Sequence, residues 1–217
     1  MPYDPMKSFT HVAYIGSVPN VFVVHPSVPA KTLPEFIAWA KAQKDPIPYG
    51  SGGVGSIGHI VGELFAKEAG IKLNHVGYKG SSPMHNDLLG GTILFAIDTM
   101  PQNVVFAKSG KLRLLAVTSS KRAAMAPDLP TVGELGFPSL VAENFFGITG
   151  PANLPRTVVE PLHKATLAAL DDPKLVASFG ELGITVQKMS TADFTTFVDK
   201  QVNAWAPAVK ASGAKAD

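Results

Sequence analysis

Short apolar runs alternate with amphipathic segments along most of the chain. The runs "VFVV", "ILFAI" and "LLAV" are continuously apolar, which is typical of strands buried on both faces of a parallel sheet. This pattern predicts strands at His11–Ile15, Val21–His25, Ile47–Tyr49, Leu73–Tyr78, Ile93–Ile97, Leu112–Thr118, Phe145–Thr149 and Ile184–Gln187.

Segments with apolar residues at helical spacing lie between these strands. Thr32 and Glu35 form a capping box at the start of one segment, and Gly70 ends the segment that follows a glycine-rich loop. One helix is predicted to carry an apolar stripe from Ile57 and to stop at Gly70, and a short one to be capped by Ser81 or Ser82 and ended by Gly90-Gly91. Further helices are predicted at Thr32–Gln43, Pro101–Ala107, Thr131–Leu135, Pro155–Leu170, Pro173–Leu182 and Thr191–Lys210. The alternation favours an α/β fold with a mainly parallel sheet, and the mainly helical pattern after Gly150 indicates a change of lobe.

Composition excludes several classes of function. Of the 217 residues, 46% are hydrophobic and 17% charged, as in an ordinary globular protein. The net charge of +2 is scattered, so no nucleic-acid surface is predicted. The chain contains no cysteine, which excludes disulfides, thiolate metal sites and cysteine nucleophiles.

The chain shows no membrane or export signal of its own. No stretch approaches the roughly 20 apolar residues that span a bilayer. The first residues, "MPYDPMKSFTHVAYIG", lack a basic region followed by an apolar one, so no signal peptide is visible. Taken alone, these observations predict a soluble protein that is not exported.

The stretch "YGSGGVGSIGHIVGELF" at Tyr49–Phe65 contains the G-x-G-x-x-G pattern of dinucleotide-binding loops. That fingerprint needs an acidic residue about 20 positions on, and the next strand, "KLNHVGY", ends without one. Gly53 and Gly58 also have P-loop spacing, but His59-Ile60 replaces the required Lys-Ser/Thr. Both nucleotide interpretations are therefore disfavoured, and a nucleotide-dependent α/β enzyme that uses Gly53–Gly58 is kept as the alternative.

The same loop has the general properties of an anion site. The first turn of a helix carries unpaired N–H groups and a partial positive charge. Ser51 and Ser56 add hydroxyl donors, which suit a carboxylate better than a triphosphate. The competing interpretation is a tight turn in which Ser56 is a plain N-cap.

A second turn of similar composition, "YKGSSP" at Tyr78–Pro83, follows the next strand. Because ligands bind outside the carboxyl ends of strands in open α/β sheets, the two turns predict a two-point anion clamp. Asp98 ends a strand at the same edge, where it either contacts a ligand or water or caps the following helix. Lys79 is expected to point to solvent by default.

No motif in the chain requires catalysis. The nucleophile elbow G-x-S-x-G is absent, and no H-x-x-x-H pair occurs. His59 and Glu63 lie one helical turn apart and form at most half a metal site, for which a surface contact is the commoner outcome. The residues therefore favour a binding protein without a metal or cofactor.

Taken together, the quoted stretches resemble one family. The chain resembles the solute-binding receptors of tripartite tricarboxylate transporters, the Bug family, almost from end to end. The stretches that carry the resemblance are "YDPMKSFTHVAYIGSVPNVFVVHPSVPAKTLPEFIAWAKA", "YGSGGVGSIGHIVGELF", "HVGYKGSSPMHNDLLGG", "GKLRLLAVTSSKR" and "APDLPTVGELGFP", with looser matches at "FFGITGPANLP" and "VDKQVNAWAPAVKASG".

The resemblance implies a periplasmic receptor with a two-lobed, type II venus-flytrap fold and no catalytic activity. Such a receptor closes around a small carboxylate (a di- or tricarboxylate, an amino acid or an aromatic acid) held by main-chain N–H groups and waters. It delivers this ligand to a two-component membrane permease. A monomer without a cofactor is expected.

Carried onto this sequence, the resemblance gives residues 1–20 to a remnant of lobe one and the hinge. Residues 21–145 form lobe two, and residues 146–217 form the mainly helical end of lobe one. The ligand-binding residues expected on lobe two are Ser51, Gly52, Gly53, Gly55, Ser56, His59, Tyr78, Lys79, Gly80, Ser81, Ser82 and Asp98.

The chain also departs from the family. Family members begin with a signal peptide and then about a hundred residues that build most of lobe one, including a proline–glycine loop that supplies half of the carboxylate clamp. The sequence therefore predicts an N-terminally truncated receptor that binds only when the missing lobe is restored. The remaining alternative is a non-functional remnant.

Overall fold

The computed structural model describes residues 3–212. Its strands, in chain order, are β1 Phe9–Val24, β2 Ile47–Ser51, β3 Leu73–Gly77, β4 Phe95–Thr99, β5 Arg113–Val117, β6 Glu143–Pro151 and β7 Thr185–Val186. Its α-helices are α1 Leu33–Lys41, α2 Ile57–Ala69, α3 Ser81–Leu89, α4 Met100–Lys108, α5 Arg156–Ala169, α6 Pro173–Glu181 and α7 Thr191–Ser212. The elements confirm the α/β class that the alternating pattern predicts.

Two compact units divide the chain. Unit 1 comprises the residues up to Val18 together with Asn144–Ala211, and unit 2 comprises Pro19–Glu143. The long strand β1 belongs to both units, because its first part lies before Pro19 and its last part after it. Each unit is therefore built around part of the same strand.

Unit 2 contains a sheet with the strand order β3-β2-β4-β1-β5. Strand β2 is parallel to β3 and β4, whereas β1 is antiparallel to β4 and β5. The sheet is thus mixed, although a mainly parallel one was predicted. Strands β2, β3 and β4 are joined through helices α2 and α3, the crossover connections that parallel neighbours need, whereas β1 is the first strand of the sheet and enters it without such a connection.

Strand β1 also corrects a prediction, because the sequence suggested two strands separated near Gly16–Asn20. In the structure one strand of 16 residues covers both. Gly16 and Ser17 pair with β7, and Asn20 begins the pairing with β4. Pro19, which has no N–H to donate, lies between these two ladders, where a missing donor breaks neither of them.

The helix predicted at Thr131–Leu135 is not formed. The Thr131 hydroxyl accepts from the Glu134 N–H at 3.1 Å, and a Glu134 carboxylate oxygen accepts from the Thr131 N–H at 2.7 Å. This is a complete capping box, but the chain leaves it at Gly136, which has a φ of +91°. The start signal is therefore real, and glycine stops the helix before a second turn forms.

The core of unit 2 is a cluster of aromatic side chains between the sheet and helices α1 and α2. The Phe36 and Phe95 rings lie 4.5 Å apart, and the Phe22 and Phe65 rings pack edge to face at 4.9 Å. All four side chains are fully buried. This cluster holds α1 and α2 against the sheet.

Unit 1 buries less apolar surface. Tyr14 of β1 forms one cluster with Phe194 and Val198 of α7, and Val159 of α5 packs against Val12 and Ala13 of β1. Helix α6 buries none of its residues. No helix among the described residues is long and apolar enough to cross a membrane.

We expect the substitution Phe95→Ala to lower the free energy of unfolding by about 3–5 kcal/mol, because it empties the centre of the aromatic cluster. Urea unfolding followed by circular dichroism measures this. The matched control is Phe146→Ala, the same truncation at a side chain that is 42% exposed. Equal losses for the two variants would contradict the assignment of Phe95 to the core.

Candidate functional site

Three parallel strands of unit 2 end at one edge of the sheet. Strand β2 ends at Ser51, β3 at Gly77 and β4 at Thr99, and each leads through a short loop or directly into the next helix. We call residues 51–56 the first loop and residues 78–82 the second loop. This edge lies outside the carboxyl ends of the strands, where ligands bind in open α/β sheets.

The Ser51 hydroxyl organises the first loop. Ser51 is completely buried. Its oxygen accepts from the Ser56 hydroxyl at 3.1 Å and from the Gly53 N–H at 3.3 Å. Ser56 in turn caps α2 by accepting from the His59 N–H at 3.3 Å. The cap leaves the N–H groups of Ile57 and Gly58 outside the intrahelical bonds, as expected for a first turn.

The glycines of the first loop and of α2 have structural roles that require no nucleotide. A Cβ at Gly58 would lie 2.2 Å from the Ile97 carbonyl oxygen, and one at Gly62 would lie 2.3 Å from the Tyr49 ring. These two glycines let α2 pack closely on the sheet. Gly55 has a φ of +76°, a left-handed conformation that favours glycine. The resemblance to the dinucleotide pattern therefore follows from backbone geometry.

The two loops are joined to each other by main-chain hydrogen bonds. The Tyr78 N–H donates to the Ser51 carbonyl at 3.2 Å, and the Gly80 N–H donates to the Gly52 carbonyl at 3.0 Å. Gly80 caps α3 without a side-chain hydrogen bond. The N–H groups of the first turn of α3 are therefore not occupied by a capping side chain, and Ser82 and Lys79 are exposed beside them.

Asp98 lies beneath α3, with only 5% of its surface exposed. The Ser81 hydroxyl donates to its Oδ1 at 2.6 Å, and the Asn103 amide donates to its Oδ2 at 3.0 Å. His85 Nε2 lies 3.0 Å from the same Oδ2. Burial acts to raise the pKa of Asp98, but the contacts with His85 and Ser81 outweigh it and leave the pKa below its ordinary value.

His59 is buried under the first loop, with 6% of its surface exposed, so the predicted surface contact with Glu63 is wrong. Its Nδ1 accepts from the Gly55 N–H at 3.0 Å. Glu63 instead accepts from the Tyr49 hydroxyl at 2.9 Å. No group of three histidine or acidic side chains suitable for a metal ion occurs within residues 3–212.

The acidic side chains near the two loops are each engaged by donors from the protein. Glu63 is bound by Tyr49, and Asp98 by Ser81 and Asn103. The Tyr78 hydroxyl donates to Asp87 at 2.7 Å. Burial, together with this bond and the Asp87 charge, raises the pKa of Tyr78 to about 12. Each of these three acids is therefore bound by a donor of the protein, and the loops present main-chain donors and Lys79.

The structure brings together most of the residues predicted for the site and places two of them beneath the loops. The two joined loops carry Ser51, Gly52, Gly53, Gly55, Ser56, Tyr78, Lys79, Gly80, Ser81 and Ser82. His59 and Asp98 lie beneath the loops and contact protein groups. Sequence reasoning missed His75, His85 and Asn103, because each depends on a neighbour distant in sequence.

A groove of about 740 Å³ lies elsewhere in unit 2. It is lined by residues that include Lys31, Arg113 and Leu129. Arg113 donates from its guanidinium to the carbonyls of Val28 and Ala30, so its charge is used within the protein. The groove lies away from the strand ends, and we place the candidate site at the two loops because the free main-chain donors are there.

Comparison with known proteins identifies close relatives. A family model described as "Tripartite tricarboxylate transporter family receptor" matches residues 1–214. Protein BugT of Bordetella pertussis is 33% identical over 216 residues, which are 99% of this chain and 66% of BugT. A second curated relative, from Cupriavidus necator, is 32% identical over 92% of this chain and 61% of its own length. The chain thus spans less than two thirds of the length of these relatives.

Two solved structures share the fold over nearly the whole chain. A protein of R. palustris solved with adipate has a TM-score of 0.88 and 32% identity, covering 99% of this chain and 72% of that one. The periplasmic binding protein BugD has a TM-score of 0.85 and 30% identity, covering 98% of this chain and 72% of BugD. The fold is therefore that of the periplasmic binding proteins of this family, as the sequence predicts.

We expect Asp98→Asn to lower the free energy of unfolding at neutral pH by about 2 kcal/mol, because a charged acceptor of buried hydrogen bonds is lost. Folding lowers the pKa of Asp98 below its ordinary value of 3.8. The ionised carboxylate therefore stabilises the folded protein above pH 3.8, and this stabilisation is lost as the pH falls through the lowered pKa. The difference between wild type and variant should shrink accordingly in urea unfolding at acid pH. Exposed Asp45→Asn is the control, and a difference independent of pH would contradict this role.

Proposed function

This chain belongs to the tripartite tricarboxylate transporter receptor family, and we propose that it is a solute-binding receptor for a small carboxylate. The observation that carries the proposal is the pair of joined loops at the edge of unit 2. The first turn of α3 has no capping side chain, and Ser82 is exposed beside it. The first turn of α2 leaves the N–H groups of Ile57 and Gly58 outside the intrahelical bonds, and donors of this kind favour an anion. A carboxylate is the anion that matches the hydroxyl and main-chain donors without a P-loop lysine.

The proposed ligand is a dicarboxylate or an acid of similar size. A relative 32% identical to this chain was solved with adipate, which makes adipate the first probe. The ligand is bound and released without chemical change, because the side chains around the two loops include no nucleophile with a base and an orienting acid. Ser51, which contacts His75, is completely buried and has no access to a substrate.

The proposed setting follows from the family. The receptor acts in the periplasm, as a monomer, and delivers its ligand to a two-component membrane permease. The BugD relative is described as a periplasmic binding protein, which supports this location. Neither nucleic acid nor a cofactor has a part in the proposed function.

Calorimetric titration with adipate tests the proposal on this chain extended to the full length of its relatives, since the chain spans 66% of BugT, and the binding experiments below use the same extended protein. We expect saturable binding of adipate and of neighbouring dicarboxylates, and none of adipamide, which has the same chain length without charge. NAD and ATP are included because the alternative function uses the glycine loop for a nucleotide. Binding of a nucleotide with no binding of any carboxylate into the millimolar range would overturn the proposal.

We expect Gly52→Ala to weaken adipate binding about tenfold without destabilising the fold, because a methyl group there obstructs the approach of a ligand to the loop backbone. A Cβ at Gly52 meets no protein atom within 4 Å, so the protein itself accommodates it. Gly180→Ala, also in open space but on α6, is the matched control. If Gly52→Ala binds adipate as tightly as wild type does, the first loop does not contact the ligand.

A further inference from the structure

Two histidine rings are stacked beneath the first loop. The ring centroids of His59, on α2, and His75, on β3, lie 3.7 Å apart, and the ring planes are nearly parallel at 9°. Each ring contacts a different part of the loop. His59 contacts Gly55, and His75 contacts Ser51. The pair therefore supports both ends of the glycine segment.

His59 must be neutral to make its contact. Its Nδ1 lies 3.0 Å from the Gly55 nitrogen, and a main-chain N–H can only donate. Nδ1 must therefore carry a free lone pair. Protonation of His59 would place two donors against each other and break the bond that holds Gly55 in its left-handed conformation.

His75 is subject to the same constraint through Ser51. The two atoms His75 Nε2 and Ser51 Oγ lie 2.7 Å apart. Ser51 Oγ already accepts from the Ser56 hydroxyl and the Gly53 N–H, and a hydroxyl oxygen has two lone pairs. A proton on His75 Nε2 would be a third donor to this oxygen. The network is complete only when Nε2 accepts the Ser51 proton, which is shared with the Gly53 carbonyl at 3.1 Å.

The surroundings of the pair favour the neutral rings. Burial lowers the pKa of both histidines, and the neighbouring His59 helps to lower that of His75 to about 4. The opposing charge is Glu63 on α2, which acts to raise the pKa of His59 and is bound by the Tyr49 hydroxyl. Tyr49 on β2 also packs on His75, with ring centroids 5.1 Å apart. Two stacked imidazolium cations at this distance would repel each other strongly.

We propose that His59 and His75, both neutral, are positioning residues that hold the first loop in the conformation that receives the ligand, and that acid releases the loop. The statement that this conformation receives the ligand rests on the proposed function. The statement that the two histidines hold the loop is independent of it. At these two histidines the folded protein binds fewer protons than the unfolded chain does. The stabilisation that the neutral rings give the first loop is therefore complete above pH 6.5 and is lost as the pH falls toward about 4.

The first experiment needs no ligand. In nuclear magnetic resonance spectra of the ¹⁵N-labelled protein, the Gly55 amide and the side-chain nitrogens of His59 and His75 are followed from roughly pH 7.5 to 3, a range that includes the pKa of about 4 for His75. We expect Nδ1 of His59 and Nε2 of His75 to be unprotonated at neutral pH, and the Gly55 amide to shift with the midpoint of the histidines. If the rings titrate and the Gly55 resonance does not move, the proposal fails.

The second experiment replaces the histidines by side chains that accept without titrating. In His59→Asn the amide oxygen can take the position of Nδ1, and in His75→Gln it can take the position of Nε2. We expect wild-type affinity for adipate to fall at least about twofold more between neutral pH and about pH 4 than that of the double variant, because about half of His75 is protonated at the lower pH. Adipate ionises in the same way in both titrations, so its own pH dependence cancels when the two proteins are compared.

His25→Asn is the matched control. Its Nδ1 also accepts a main-chain N–H, from Ser27 at 3.2 Å, at a place away from both loops. This variant should keep the wild-type pH profile, and a double variant that also keeps it would contradict the proposal. If no carboxylate binds any of these proteins, the proposed function is wrong, and the Gly55 resonance still decides whether the histidines position the loop.

Discussion

The close contact between helix α2 and the sheet is the constraint on which the candidate site depends. Only glycine at positions 58 and 62 leaves room for the Ile97 carbonyl and the Tyr49 ring. This contact brings Ser56 to the buried Ser51 hydroxyl and places His59 against His75. A larger residue at either glycine would move the helix and with it the loop, the cap and the histidine pair.

The electrostatics of the edge follow from the same packing. Acidic side chains occur near both loops, yet Glu63, Asp87 and Asp98 each accept hydrogen bonds from buried or half-buried neighbours. These hydrogen bonds turn each carboxylate toward a donor of the protein. The main-chain donors of the two loops remain, which is the balance expected of a site for a small carboxylate.

Local patterns were sufficient for most of the elements of unit 2. Thr32 caps α1 as predicted, although Glu35 accepts from the Lys31 N–H and not from the Thr32 N–H that a capping box requires. Ser56 caps α2, as the competing interpretation of the first loop had it, and the strand ends predicted the two loops at one edge. The failures share a cause. The continuity of β1 through Pro19 and its antiparallel direction depend on partners far along the chain, which no short pattern records.

The sequence by itself determined the α/β class, the family and the loops that carry the proposed site, because glycine, serine and apolar spacing act over a few residues. Only the tertiary structure decided the roles of His59 and Asp98, which face protein groups beneath the loops. It also supplied His75, 16 residues beyond His59 in the chain and stacked on it in space. The physical reason is that hydrogen bonds and burial between separate elements set protonation and orientation, and these contacts exist only once the sheet and α2 have packed.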